Sequence, residues 1–224
     1  MNILYERLLL IVLIGILLIV MWCMYDNYYV YSHTLDNSIL RYKPGQSTAV
    51  REDSPISEEM AAWITIDGTG IDYPVMQGSD NIKYLNTDPF GNYALSGSIF
   101  LDSRNSPDFS DEYSLIYGHH MEYGKMFGAL DEFLNGSYLN QHRTGTLIIG
   151  RNAEETYPVE VFASMRASAK DDAVFEPGDP AVRQFIKEHA EVYTTDSERR
   201  IIALSTCAEG DSVSRVLVFC YITD

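Results

Sequence analysis

The stretch Arg200-Ile201-Ile202-Ala203-Leu204-Ser205-Thr206-Cys207, with Arg215 a few residues beyond it, decides how this chain reads. Four apolar residues, Ile201 to Leu204, predict a short strand buried on both faces. The polar Ser-Thr-Cys step ends that strand where it meets a loop. After a run of small and acidic residues a second strand is expected from Arg215 to Thr223. In it Val216, Val218, Cys220 and Ile222 alternate with Leu217, Phe219 and Tyr221. Two consecutive strands with a short connection pair most simply as an antiparallel hairpin, which sets Cys207 opposite Arg215. A thiol at a strand end facing a permanent cation is a candidate nucleophile beside an anion stabiliser.

Upstream, further strands are expected at Trp63 to Ile66, Ile71 to Met76, Ser98 to Asp102, Tyr113 to Tyr117, Thr146 to Ile149 and Val159 to Met165. Turn residues such as Asp67-Gly68-Thr69-Gly70 separate them. Eight short strands point to a mainly β fold, a barrel or sandwich, and closure into a barrel removes exposed edges most completely. Two helical segments interrupt the strands. Met126 to Leu134 places Phe127, Leu130 and Leu134 on one face. The second begins at Asp179-Pro180 and repeats Val182, Phe185, Ile186 and His189 at helical spacing. Ser54-Pro55 predicts an N-cap and first turn for another short helix, to about Ala62.

The N-terminal part is different in kind. Leu8 to Tyr25 carries no charge and is long enough to cross a bilayer as a helix, with Trp22 and Tyr25 at its end. Arg7 before it and Asp26 after it put the N-terminus in the cytoplasm and the rest of the chain outside. No small-residue cleavage site follows, so an uncleaved single-pass anchor is expected. The division is then 1–7 cytoplasmic, 8–25 anchor, 26–54 juxtamembrane spacer and 55–224 globular domain, with part of the spacer, around Leu35 to Tyr42, able to form a helix on that domain. Net charge is −16, from 16 Lys and Arg against 32 Asp and Glu, which argues against a nucleic-acid partner. No histidine, cysteine or carboxylate cluster has metal-ligand spacing and no phosphate-binding glycine loop occurs, so no cofactor is expected.

Of three cysteines, Cys23 lies in the anchor and Cys220 falls in phase with core residues, although a Cys207–Cys220 disulfide stays open on sequence alone. Cys207 is the thiol to explain. A cysteine nucleophile needs a histidine. His33, His142 and His189 sit in the spacer, a polar loop and a helix face. His119 and His120 instead follow an apolar strand and Gly118, where the glycine lets the chain turn into a cleft. His120 is expected to face solvent.

Tyr117-Gly118-His119, Leu204-Ser205-Thr206-Cys207 and Arg215 together resemble the sortases, membrane-anchored cysteine transpeptidases of Gram-positive bacteria. The likeness is greatest to class B. Trp63-Ile64-Thr65-Ile66, Ile71-Asp72-Tyr73-Pro74-Val75, Tyr84-Leu85-Asn86, Gly97 to Asp102 and Ile116 to Met121 carry it, and the helix at Asp179 to Ala190 resembles the one that class inserts before its cysteine-bearing strand. Where class B members often have aromatic residues after the cysteine, this chain has Ala208-Glu209-Gly210-Asp211. Ala173-Val174 also replaces a more aromatic stretch.

The resemblance implies an eight-stranded sortase-like β-barrel, with Cys207 as nucleophile, His119 as general acid and base, and Arg215 as oxyanion and substrate stabiliser. It implies Asn81, Leu85, Tyr117, Ser205 and Thr206 as substrate-groove residues. The implied substrates are secreted proteins with a C-terminal sorting signal, and the implied acceptor is a peptidoglycan-precursor amine. A pilin lysine as acceptor, a catalytically silent anchored binding domain, and a cysteine peptidase are the other readings.

Overall fold

The computed structural model describes residues 3–33, 37–45, 54–207 and 214–223. The chain divides into two compact units, Met1–Asp36 and Asn37–Asp224. The first contains helix α1 (Ile3–His33), whose segment Tyr5–Asp26 has 22 residues of high hydropathy. At 1.5 Å per residue that segment is about 33 Å long, enough for the ~30 Å hydrocarbon core of a bilayer.

The second unit is built on β1 (Met60–Ile66), β2 (Asp72–Met76), β3 (Ile99–Leu101), β4 (Tyr113–Gly118), β5 (Thr144–Ile149), β6 (Glu155–Ser168), β7 (Val192–Tyr193), β8 (Ile201–Cys207) and β9 (Ser214–Ile222). The strands run side by side as β5-β1-β2-β3-β4-β8-β9-β6, and β6 pairs back to β5, closing an eight-stranded barrel. The long β6 serves two neighbours on one side: its first half pairs with β5 and its second with the two-residue β7. Most neighbours are antiparallel, but β2–β3 and β4–β8 are parallel. The expected hairpin of β8 and β9 forms, with Ile202 opposite Cys220 and Cys207 opposite Arg215.

Helix α2 (Gly136–Gln141) and the single-turn α3 (Asp172–Phe175) lie in connections, and α4 (Val182–His189) packs Val182 and Ile186 into the core cluster of Phe162, Leu217, Phe219 and Tyr221. Phe162 and Tyr221 stack with ring centroids 3.8 Å apart. Phe185, expected on the inner face, is only partly buried and stacks on the exposed His189. A 3-10 helix at Asn37–Tyr42 also belongs to this unit. Ile39 is buried, and Lys43 Nζ donates to Asp72 Oδ1 (2.8 Å) and Thr65 Oγ1 (2.7 Å).

Two expectations are corrected. Residues after Ser54 do not form a helix; the chain turns and then enters β1, whose Ala62 pairs with both Val75 and Ile149. Sheet pairing on both sides outweighs the local helix-start signal. Gly128–Leu134 is a 3-10 helix, not an α-helix. At three residues per turn the buried set becomes Phe127, Leu130 and Phe133, and Leu134 moves off the inner face.

Candidate active site

The parallel pairing of β4 with β8 brings distant parts of the chain together. Its last pair is Gly118 with Thr206, so His119 and Cys207 are the next residues on neighbouring strands, about 5 Å apart at ordinary sheet spacing. Across the β8–β9 hairpin Cys207 pairs with Arg215. Backbone register alone therefore sets His119, Cys207 and Arg215 side by side at one end of the barrel. The side chain of Cys207 and residues 208–213 lie outside the described residues, so the loop departing from the class B pattern, Ala208 to Asp211, is outside them too.

Gly118 does something other than turn the chain. It is a regular strand residue with no positive φ, but a Cβ there would stand 2.4 Å from Ile99 Cδ1 and 2.6 Å from the Phe127 ring. Close packing, not backbone freedom, demands glycine. Gly97 needs both: its φ is +56°, and a Cβ would stand 2.4 Å from the Tyr84 carbonyl oxygen and 2.6 Å from that of Leu85. The Leu85 carbonyl matters because His119 Nε2 lies 2.9 Å from it. A carbonyl only accepts, so Nε2 carries a proton and Nδ1 is the nitrogen left to take or give one. His120 does not face solvent as expected. Its side chain is 15% exposed, with Nε2 2.9 Å from Asp131 Oδ2.

A groove of about 290 Å³ opens beside these residues, lined by Asn81, Leu85, Tyr117, Ser205 and Thr206 together with His119 and Arg215. Every described residue expected at the site lines it. Sequence reading missed Phe100, Ala169 and Phe175, which also contribute walls. Phe100 enters by sheet register, opposite Tyr117 with ring centroids 5.3 Å apart, and no local motif signals that. Two polar atoms in the groove are buried and without a partner among the described residues: Ser205 Oγ and Arg215 Nη1. A buried polar atom without a partner costs free energy. Leu85, Phe100, Ala169 and Phe175 supply the apolar part of the lining.

The remaining cysteine in the barrel is excluded from this chemistry. Cys220 is a free, fully buried thiol, and burial pushes its pKa up to about 12. At neutral pH that leaves roughly one thiolate in 10⁵. Among the described residues, no three His, Cys, Asp or Glu side chains gather in a way that would hold a metal ion.

The sortase domain family matches residues 64–223. The chain belongs to the sortase family. It is 32% identical over 175 residues to sortase B of Staphylococcus aureus (strain NCTC 8325 / PS 47), covering 73% of this chain and 70% of that protein. Sortase B of Listeria monocytogenes serovar 1/2a (strain ATCC BAA-679 / EGD-e) is 35% identical over 168 residues, covering 70% of this chain and 66% of the relative. Among solved structures, a Streptococcus pyogenes class B sortase involved in pilus biogenesis superposes with a TM-score of 0.70 at 35% identity, over 79% of this chain and all of that one. This sortase is thus an enzyme of the cysteine transpeptidase type, most like class B.

Proposed function

We propose that this sortase cleaves a C-terminal sorting signal of secreted proteins and transfers the new acyl end to an amine, with Cys207, His119 and Arg215 as its catalytic residues. The observation that carries the reading is the register of the three strands, Gly118 with Thr206 and Cys207 with Arg215, beside a groove that His119 and Arg215 line. The Cys207 thiolate attacks the substrate carbonyl carbon. A C–S bond forms, the peptide C–N bond breaks, and the departing amine takes a proton from His119 Nδ1. Arg215 lines the groove and cannot lose its charge, which suits a carbonyl oxygen becoming an oxyanion. The incoming amine then attacks the thioester and returns its proton to His119 as the C–S bond breaks. Asn81, Leu85, Tyr117, Ser205 and Thr206 bind the peptide upstream of the scissile bond.

Helix α1 anchors the enzyme in the cell membrane through residues 8–25, the N-terminus cytoplasmic and the catalytic domain, 55–224, outside on the spacer 26–54. The lack of charge within that span and the Arg7–Asp26 asymmetry around it support this. Secreted substrates then emerge beside the groove.

The test is incubation of the enzyme with a panel of sorting-type peptides and an amine such as triglycine. An amide product that disappears in Cys207→Ala is expected. Hydrolysis alone in the presence of amine, or no product across a broad panel, overturns the reading. A second acceptor is favoured by one observation: the Streptococcus pyogenes structure matched above is of a pilus enzyme. A lysine-bearing pilin peptide outcompeting triglycine would make this a pilin polymerase.

A further inference from the structure

We infer that the Asp102–Arg104 ion pair is the positioning device of the substrate groove, holding lining residues from separate segments at a fixed separation. Both residues lie outside the catalytic trio and outside the set of groove-lining residues named above. The inference rests on the groove being the peptide site of the proposed function.

Asp102 follows β3 and is fully buried. Its Oδ2 accepts from two groove residues on separate segments, Asn81 Nδ2 (2.9 Å) and Tyr117 OH (3.1 Å). Asn81 is fixed from its other end as well, since its Oδ1 accepts from the Ser103 amide at 2.7 Å. Arg104 grips the same carboxylate with two parallel bonds, Nε to Oδ1 and Nη2 to Oδ2, both 2.9 Å. Its guanidinium then reaches across to α3, where Nη2 donates to the Phe175 carbonyl (2.9 Å) and Nη1 to Glu176 Oε2 (2.6 Å). Phe175 is one of the residues that line the groove. One carboxylate and one guanidinium thus tie together three groove residues, at 81, 117 and 175, that are far apart in sequence.

The chemistry suits a positioning role. A buried carboxylate is tolerated only when paired and hydrogen-bonded, and the planar fork of arginine matches it in a way lysine cannot. Burial raises the Asp102 pKa, but the bonds and charge of Arg104 outweigh it, and the carboxyl falls below the ordinary aspartate value. It is therefore ionised at neutral pH. A single-turn helix such as α3 has few bonds of its own; buried Val174 and the bond from Tyr113 OH to the Val174 carbonyl (2.8 Å) hold its inner side, and Arg104 holds its C-terminal end.

The test uses full-length enzyme in detergent, with Asp102→Asn, Arg104→Gln and Arg104→Lys. Three quantities are read: transpeptidation kinetics, the rate of Cys207 alkylation by iodoacetamide, and amide hydrogen exchange at residues 172–176. For Asp102→Asn and Arg104→Gln the expected result is a kcat/KM lower by roughly tenfold, mostly through KM. Alkylation should stay within about twofold of wild type, since the thiol end of the site is untouched. Exchange at 172–176 should accelerate, and Arg104→Lys should recover less than half of the loss because it lacks the fork. Unchanged KM together with unchanged exchange overturns the inference. Equal losses in kcat, alkylation and thermal midpoint also overturn it, because they mark general destabilisation. Absence of transpeptidation in the wild type defeats the proposed function instead. Exchange and alkylation still decide the positioning role in that case.

Discussion

At the scale of single residues, the site depends on atoms that carry no reactive chemistry. The Leu85 carbonyl holds the proton of His119 on Nε2, and that carbonyl can stand where it does only because residue 97 has no side chain. Gly97→Ala combines a positive φ with two contacts below 3 Å to backbone oxygen. We expect it to destabilise the fold by about 2 kcal/mol or more and to reduce transpeptidation at least tenfold, read by chemical unfolding and by product formation. Asp102 gives a pH signature. Its folded-state pKa lies below the ordinary 3.8, so its contribution to stability is complete above that value and is lost as pH falls through the lowered one. Arg104, Asn81 and Tyr117 are the groups that face it. The stability gap between wild type and Asp102→Asn should be constant near neutrality and close below about pH 4, measured by denaturant titration from pH 2.5 to 7. His119, Cys207 and Arg215 could be named from sequence because each has a distinctive chemistry next to a strand boundary. Asp102 could not, since an Asp-x-Arg step at a strand end has many outcomes and only burial makes it a hub.

At the scale of elements, local pattern and tertiary pairing competed, and the pairing won where a segment had neighbours on both sides. Ser54-Pro55 has the residues of a helix start, yet the chain that follows closes the barrel between β2 and β5. The segment at Gly128–Leu134 kept its apolar residues but chose the tighter helix, which buries Phe133 in place of Leu134. Helix α4 shows how an inserted element is secured. Its Arg183 donates to three carbonyl oxygens in the approach to β8, those of Ser197, Glu198 and Arg199, at 2.8, 3.2 and 2.6 Å. Arg183→Ala leaves those acceptors to water or to nothing. It should lower stability by about 1–3 kcal/mol while leaving the kinetics of the groove, which Arg183 does not line, near wild type, which thermal unfolding and steady-state assays would check. A drop in kcat/KM larger than the drop in folded fraction would instead tie α4 to the site.

At the scale of the whole molecule, two units of different surface character are joined in one chain, an exposed apolar helix and a closed barrel. If α1 is the proposed anchor, Ile14→Asp with Leu17→Asp should move the protein out of the membrane fraction, because each mid-helix aspartate costs roughly 3 kcal/mol on insertion. Fractionation followed by carbonate extraction reads this directly, and retention in the membrane pellet would sink the anchor. The sequence by itself determined the apolar span, the strand periodicity, the Cys207–Arg215 hairpin and the chemical types at the site. All of these depend on spacings of a few residues, which dihedral preferences and burial translate locally into structure. Only the tertiary structure decided that β4 lies parallel to β8, which sets His119 beside Cys207 across more than a third of the chain. It alone also decided that one buried carboxylate gathers Asn81, Tyr117 and Arg104. Closing a barrel fixes strand order and register through the summed packing of every strand, and no single stretch of residues contains that sum.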